Sequence, residues 1–347
     1  MLRFLLKVVA VALLVVLLAG AWLAWGLLAP VRLAEPKFVL LRPGWTTKHI
    51  ANALQAEGII RSARAFLLYH YFADPATLKA GEYRFDVPAT APQVHERLVR
   101  GDIFIHTVVI PEGFNMFEIA AVIEAAGLGT KQEFLDSARA QVSLMSEFDP
   151  QAQSLEGYLF PDTYGFTRTQ TMPDIVASMV RRFRQEARSL SLTQDVHRIV
   201  TLAAIVEKET AVPEERQLVA SVYQNRLNRG MALDADPTVI YAAELQHRYT
   251  GTIHQSDLQS ESPYNTYKFL GLPPGPIANP GRASLQAAMH PAVSDYLYFV
   301  SDGNGHHRFA RTLEEHSRNV SAYRRSRVEA PPSPQIHTSR IRHTSAP

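Results

Sequence analysis

The sequence contains no cysteine in its 347 residues, and this absence removes several classes of protein at once. Disulfides, thiolate zinc sites, iron–sulfur clusters, a cysteine nucleophile and lipidation on an N-terminal cysteine are all excluded. Excess charge of one sign is also lacking, because 35 Lys and Arg residues face 33 Asp and Glu residues and leave a net charge of +2. A nucleic-acid binder normally carries clustered basic residues, so no nucleic-acid partner is expected.

Two common catalytic signatures are missing as well. The 13 histidines form no His-Glu-x-x-His pattern, so a catalytic metal is not predicted. The sequence has no Gly-x-Ser-x-Gly elbow, which argues against a serine hydrolase. We therefore expect an active site without metal or cofactor. The length is that of a protein with two or three domains.

The N-terminus carries the longest apolar run of the chain. Arg3 and Lys7 precede an uncharged stretch from Val8 to Val31 that is dense in Leu, Val and Ala. A run of at least about 18 apolar residues indicates a transmembrane helix. Trp22 and Trp25 lie toward its far end, where aromatic residues collect at the boundary between membrane and water. We predict a transmembrane anchor over about residues 8–31.

A cleaved signal peptide is the alternative for this segment, with Ala19-Gly20-Ala21 as the processing site. The run is longer than the apolar stretch of about 7–15 residues in such peptides, which favours the uncleaved anchor. Basic residues also follow the run, at Arg32, Lys37 and Arg42, so the flanking charge alone does not fix the orientation. Long domains translocate largely regardless of flanking charge. We expect a single-pass protein whose soluble part lies outside the cytoplasm.

The soluble part mixes strand and helix patterns, which predicts an α+β fold. The stretches LRPGWTTKHIANALQAEGI and IPEGFNMFEIAAVIEAAGL align as strand, turn, helix and glycine, and indicate a repeated strand–helix module. Gly81 to Phe85 alternates like a strand, and a hairpin is expected around Gly303-Asn304-Gly305. The last residues, 326–347, have almost no apolar content and are expected to be disordered.

The segment HRIVTLAAIVEKET, residues 197–210, carries the most specific chemistry. Its apolar run predicts a buried helix that ends at Glu207 and Glu209. Residues two apart lie about 200° apart on a helix, so the two carboxylates cannot face the same cavity. Burial and the helix dipole both raise the pKa of a carboxyl group at a helix C-terminus, which suits a general acid. A solvated helix end with ordinary charges remains the alternative reading of the pattern.

A set of longer motifs resembles one known family. These are EGYLFPDTY, LAAIVEKETAVPEERQLVASVYQNRL, DADPTVIYA, SPYNTYKFLGLPPGPIANPG and HPAVSDYLYFVSDGNGHHRF. Together with the N-terminal anchor they closely resemble the YceG/MltG-like family of endolytic murein transglycosylases, over nearly all of residues 1–325. The resemblance implies that Glu209 is the catalytic acid/base and that Glu207 has a supporting role beside it. Ala204 stands where some relatives have a small hydroxyl residue, which puts one local hydrogen bond in doubt.

The resemblance also implies how the chain is organised and where it acts. An anchor is expected over residues 1–36, a LysM-like peptidoglycan-binding module over 37–100 and a catalytic domain over 101–325. The enzyme would lie in the inner (cytoplasmic) membrane with its catalytic domain in the periplasm. It would terminate elongation of nascent peptidoglycan strands, beside penicillin-binding proteins and other wall-synthesis proteins.

Five residues are carried over as further glycan contacts: Glu156, Tyr158, Asn265, Thr266 and Tyr267. Two competing functions stay open at this point. One is a non-catalytic peptidoglycan-binding scaffold for wall synthases, and the other is a hydrolase that leaves reducing MurNAc ends.

Overall fold

The computed structural model describes residues 1–329, and within them the chain forms thirteen α-helices and six β-strands. The helices are α1 Leu2–Leu28, α2 Thr47–Ala56, α3 Ala63–Phe72, α4 Ala91–Arg100, α5 Met116–Ala125, α6 Lys131–Ala140, α7 Met172–Ser189, α8 Val196–Glu209, α9 Arg216–Asn228, α10 Asp236–Leu245, α11 Gln255–Leu258, α12 Arg282–Met289 and α13 Leu313–Glu329. The strands are β1 Lys37–Leu41, β2 Gly81–Phe85, β3 His106–Val109, β4 Thr163–Phe166, β5 Tyr298–Ser301 and β6 His307–Ala310. The fold is therefore mixed α+β, as predicted.

The strands pair as three antiparallel two-stranded sheets in the described chain: β1 with β2, β3 with β4, and β5 with β6. The two strand–helix segments seen in the sequence are present as β1–α2 and β3–α5. Because two-stranded ribbons are marginal on their own, the β1–β2 and β5–β6 sheets depend on the helices packed against them. The β5–β6 pair is the predicted hairpin, and α13 packs against both of its strands.

The chain divides into two compact units that interleave along the sequence. The first unit comprises residues 1–110, 117–141 and 162–178, and the second comprises 111–116, 142–161 and 179 onward. The predicted boundary after residue 100 falls inside the first unit. The reason is that β3 pairs with β4, some 57 residues later in the chain, and this pairing draws residues 162–178 into the first unit.

The first unit buries an apolar core between β1, β2 and helices α2, α3 and α4. Thr46 and Thr90 cap α2 and α4 through their side-chain oxygens, and Gly101 ends α4 in the left-handed conformation that glycine favours. α1 contacts this core near its C-terminal end, where Gly26 packs on α3. The rest of α1 is apolar and exposed, with no buried residue over its most apolar stretch, and its length and composition suffice to cross a membrane.

The second unit is built around α8, against which α9, α10 and α12 pack. Every residue of α8 from Ile199 to Val206 is buried, so the helix is apolar on all sides, as the sequence predicted. The other prominent feature is the Pro/Gly segment, residues 271–281, which leads into α12. At the C-terminus, α13 continues to Glu329, so residues 326–329 of the expected disordered tail are helical. The remainder of that tail, from residue 330, lies outside the described residues.

Candidate active site

Glu209 is the last residue of α8, and its position follows from where that helix ends. Thr210, the next residue, has extended backbone angles, and its N–H still bonds to the carbonyl of Val206. Pro213 then opens a short 3-10 turn before α9. The buried helix therefore ends directly after its two carboxylate residues, Glu207 and Glu209. Glu209 is held at a fixed place by the packing of the nine buried residues that precede it in α8.

The Glu209 carboxyl lies in a cavity of about 390 Å³. The cavity wall mixes acidic groups with aromatic rings, a composition suited to carbohydrate because rings pack on sugar C–H faces and carboxylates bond to hydroxyls. Its lining consists of Glu209, Tyr223, Arg226, Leu233, Asp234, Asp236, Tyr267, Tyr298, Phe299, Leu313 and His316. The volume is sufficient for a sugar ring and its substituents.

Burial raises the pKa of Glu209 from 4.5 to about 7. A hydrogen bond from the Tyr223 hydroxyl to Oε1, 2.6 Å long, opposes this effect because it favours the charged form. The negative charge of Asp236 raises the pKa, whereas the nearby His307 and Arg226 lower it. The pKa of Glu209 is thus raised toward neutral pH, the condition in which a carboxyl group can serve as acid and then as base.

A second acidic group of the same cavity lies on α10. Asp236 is the first residue of that helix, and its Oδ1 accepts a hydrogen bond of 2.6 Å from the Tyr267 hydroxyl. Tyr267 is 39% exposed and lines the cavity, so the structure brings this predicted contact residue together with Glu209. Asp234 is held differently, by an ion pair of 3.1 Å with Arg226. The pocket therefore contains three carboxyl groups with three different environments.

The side chains of Glu207 and Glu209 contact different partners, as their spacing on the helix predicts. Its Oε2 accepts a hydrogen bond of 2.9 Å from the backbone N–H of Gly281, and its Oε1 lies 3.7 Å from Arg216 Nη2. Its side chain is only 6% exposed. Glu207 thereby ties the end of the Pro/Gly segment to α8, and it is absent from the lining of the Glu209 cavity.

The structure does not bring the other four predicted contact residues to the cavity. Glu156, Tyr158, Asn265 and Thr266 are all at most 1% exposed. Because a glycan must reach a side chain to contact it, we correct the expectation and assign these four residues to holding loops in place. Their partners lie within the second unit of the protein.

Glu156 and Tyr158 each anchor part of the protein interior. Both carboxylate oxygens of Glu156 lie 3.1 Å from the backbone nitrogen of Met116, and Oε1 also accepts from Asn279 Nδ2 at 2.9 Å. The Tyr158 hydroxyl donates to Asp149 Oδ2. These bonds satisfy polar groups that would be costly to bury alone.

Asn265 and Thr266 do not line the cavity, but they hydrogen-bond to the backbone next to residues that do. The Thr266 hydroxyl accepts a hydrogen bond of 3.0 Å from the backbone N–H of Ala235, which directly precedes Asp236. Asn265 Oδ1 accepts a bond of 3.1 Å from the backbone N–H of Tyr267. The Asn-Thr-Tyr motif therefore sets the backbone on both sides of the Asp236–Tyr267 hydrogen bond.

Sequence reasoning missed several groups around Glu209. Tyr223 lies on α9, and only the structure shows that its hydroxyl meets the carboxyl. Asp236 lies within the DADPTVIYA motif, whose acidic pair is the available signal in the sequence. His307 lies on β6, and its approach to Glu209 depends on how the β5–β6 hairpin packs, which the spacing of residues in the sequence does not reveal.

A carboxyl group with a raised pKa, a second carboxylate and several aromatic rings in one cavity define a general-acid site suited to an uncharged polar substrate. A model of the YceG-like family matches residues 39–322. This match covers most of the chain, so the protein belongs to the YceG-like family.

Two relatives and one solved structure show how close the similarity is. The chain is 33% identical over 308 residues to an endolytic murein transglycosylase of Bacillus subtilis (strain 168), covering 82% of this chain and 84% of that protein. It is 29% identical to one of Streptococcus pneumoniae (strain D39), covering 87% of this chain but 61% of that protein. A crystal structure of a YceG-like protein from Listeria monocytogenes superposes with a TM-score of 0.54 at 33% identity, over 82% of this chain and 99% of that one.

Proposed function

We propose that the protein is an endolytic murein transglycosylase. It cleaves the MurNAc-β-1,4-GlcNAc bond within nascent glycan strands, leaves 1,6-anhydro-MurNAc ends and so terminates strand elongation. The observation that carries this proposal is the Glu209 carboxyl group, whose pKa is raised to about 7 inside a sugar-sized cavity. The family match and the names of the curated relatives support the substrate class.

In this proposal Glu209 acts twice in one cycle. The protonated carboxyl donates its proton to the bridging oxygen as the bond to the anomeric carbon breaks and positive charge develops on the MurNAc ring. The resulting carboxylate then takes the proton from the MurNAc C6 hydroxyl, whose oxygen bonds to C1 and closes the anhydro ring. The acid is restored, and no water is consumed. A pKa near neutral pH suits both steps because the group must lose and regain a proton.

The Tyr223 hydrogen bond gives Glu209 a defined orientation for these transfers. Tyr223 is 2% exposed, and its ring packs edge-on against Phe299 at 5.9 Å, so the hydroxyl has a fixed position. The bond is made to Oε1, which leaves Oε2 for the substrate. Positioning of this kind accounts for much of the rate when one group performs both proton transfers.

We also propose that α1 anchors the enzyme in the inner membrane, with the soluble part in the periplasm. Support comes from its length of 27 residues and from the uncharged, exposed apolar stretch that follows Arg3 and Lys7. We expect sequencing of the purified native protein to find residues 8–31 retained. A mature N-terminus within that run would contradict the anchor and make the enzyme a released periplasmic one.

The first unit is the place for the LysM-like peptidoglycan-binding module of this proposal. The face of α2 that carries Thr46, Lys48, His49 and Asn52 lines an open surface depression, beside which Trp45 stacks on His49 with ring centroids 4.3 Å apart. An exposed polar face next to an aromatic ring is suited to shallow glycan binding. Penicillin-binding proteins and other wall-synthesis proteins are the proposed protein partners, on the ground that all of them act on the same nascent strands.

Mass spectrometry of glycan strands digested by the full-length protein tests the activity. We expect 1,6-anhydro ends, and we expect Glu209→Gln to lower the rate by about 10²–10⁴-fold, the usual contribution of a general acid. Glu214→Gln is the matched control, since it removes the same charge from an exposed position outside the pocket. Reducing MurNAc ends would identify a hydrolase instead, and binding without cleavage would identify a scaffold.

A further inference from the structure

The cavity contains a carboxylate that the reaction scheme above does not use. Asp236 lies at the first position of α10, where Pro237 follows it and fixes the start of the helix. Its side chain is exposed to the cavity, so a bound sugar can reach it. Its Oδ1 accepts the Tyr267 hydroxyl at 2.6 Å, and a carboxylate has further acceptor sites on its second oxygen.

Two hydrogen bonds of Thr266 fix the backbone on either side of Asp236. Thr266 accepts the N–H of Ala235 and bonds to the Thr238 hydroxyl at 2.9 Å, one hydrogen bond on either side of Asp236. Both threonines are at most 1% exposed. A charged group on a backbone fixed in this way is preorganised, because it need not reorient when charge develops on the substrate.

Glu209 and Asp236 differ in the way that acid and charge-stabilising carboxylates differ in glycosidases. Glu209 lies at the end of a buried apolar helix, whereas Asp236 is exposed and accepts a hydrogen bond from a tyrosine. Glycosidases commonly combine one carboxyl group that transfers the proton with a second carboxylate close to the reacting sugar. Several charged and titratable groups surround Glu209: Tyr223 and Arg226 of α9, Asp236 of α10, His307 of β6 and Tyr267, with Asp234 and His316 also lining the cavity.

We propose that Asp236 is a second catalytic carboxylate, held in place by Tyr267, which stabilises the positive charge of the MurNAc ring while Glu209 transfers the proton. This inference rests on the proposed transglycosylase function. Asp236 forms no bond and accepts no proton in the cycle. The proton still passes from Glu209 to the bridging oxygen and returns to Glu209 from the C6 hydroxyl. Tyr267 is the positioning residue of this arrangement.

The same negative charge has a second effect, since it raises the pKa of Glu209. Activity that needs protonated Glu209 falls as the pH rises through that pKa. Removing the charge of Asp236 lowers the pKa of Glu209, so the fall in activity moves to lower pH. Asp236→Asn should therefore change both the height of the pH–rate profile and the position of its basic limb.

The experiment compares kcat, KM and the pH profile of anhydro-end formation by the full-length protein. For Asp236→Asn we expect kcat to fall on the order of 10²–10³-fold, as when a preorganised charge-stabilising group is removed. KM should change by less than about threefold, and the basic limb should move to lower pH. Asp236→Glu, which keeps the charge, should restore part of kcat. Tyr267→Phe, which keeps the ring but loses the hydrogen bond, should cost about tenfold.

Glu214→Gln is the matched control for the loss of one negative charge. Glu214 is exposed and is not part of the cavity lining, so its loss should leave both kcat and the basic limb in place. An equal shift of the limb in both variants would overturn the proposal, since the effect would then be a general one of net charge.

Two further outcomes separate this inference from the proposed function. Loss of cleavage in Glu209→Gln together with an unaltered rate and profile in Asp236→Asn would refute the role of Asp236 alone. Cleavage that survives Glu209→Gln would refute the proposed acid itself. Thermal unfolding of each variant checks the fold, and an Asp236→Asn protein that unfolds early is replaced in the comparison by Tyr267→Phe, which leaves the start of α10 intact.

Discussion

Replacing Glu209 by Gln should stabilise the second unit in alkaline solution and leave its stability in acid unchanged. A carboxyl group whose pKa is about 7 in the folded protein and 4.5 in the unfolded chain binds its proton more tightly when folded. This stabilisation is fully present below pH 4.5 and is lost as the pH rises from about 4.5 through about 7. Each pKa unit corresponds to about 1.4 kcal/mol, so a shift from 4.5 to about 7 makes the loss above pH 7 at most about 3.5 kcal/mol. Water in the open cavity reduces this figure.

Gln has nearly the same shape as Glu and does not ionise, so the stability of the Gln variant does not fall when the pH rises through the pKa of Glu209. The assay is thermal unfolding of wild type and Glu209→Gln at pH 4 and pH 8, measured by calorimetry. We expect equal midpoints at pH 4 and a higher midpoint for the variant at pH 8. For a unit of roughly this size, 1 kcal/mol moves the midpoint by about 2–4 °C.

Glu207→Gln is the control two residues away on the same helix. Glu207 accepts a hydrogen bond from Gly281 and lies beside Arg216, so removing its charge should lower the midpoint at pH 8. The two substitutions are thus expected to have opposite signs. A Glu209→Gln midpoint at pH 8 that equals or falls below the wild-type value would refute the burial argument, and with it the reason for regarding Glu209 as an acid.

Two further substitutions probe the site and its support. Tyr223→Phe removes the hydrogen bond that favours ionised Glu209, so the pKa of Glu209 should rise, and the basic limb of the pH–rate profile should move up by about one unit; a move to lower pH would contradict the assigned donor. Gly157→Ala should destabilise the protein by about 2–4 kcal/mol in urea unfolding, because φ is +86° and the new Cβ would lie 2.5 Å from the Pro276 ring. Gly230→Ala, at φ +64° with open space around it, should cost only about 1 kcal/mol.

Local patterns in the sequence predicted the elements of this fold well, because each depends on residues close in the chain. The strand at Gly81–Phe85 and the buried helix ending at Glu209 both appear where the sequence pattern predicts them. The division into units was not predictable in the same way. It depends on β3 pairing with β4, a contact between segments far apart in the sequence, each only four residues long.

The site shows the same difference between local and distant information. The opposite directions of Glu207 and Glu209 follow from helical geometry alone. The burial of Asn265 and Thr266 does not, since both are polar residues in a loop of a kind usually found on the surface. They are buried because their side chains bond to the backbone of other loops, and that pairing has no signal in residue type or spacing.

The Pro/Gly segment is hydrogen-bonded to α8 at two points, one near each end of the helix. Near the start of the helix, His197 Nε2 bonds to the carbonyl of Pro274 at 2.9 Å, and near its end Glu207 bonds to the N–H of Gly281. His197 and Glu207 are ten positions apart, which corresponds to about 15 Å along the helix axis. Pro274 and Gly281 are seven positions apart, and this stretch of chain reaches about 23–25 Å at most.

An insertion in this part of α8 would disrupt both the second of these hydrogen bonds and the site. One residue inserted between His197 and Glu207 would rotate everything beyond it by about 100°, which would turn Glu207 away from Gly281 and carry Glu209 out of its cavity. A substitution keeps this register, but it must still fill the buried space around α8. The helix is therefore constrained in length as well as in composition.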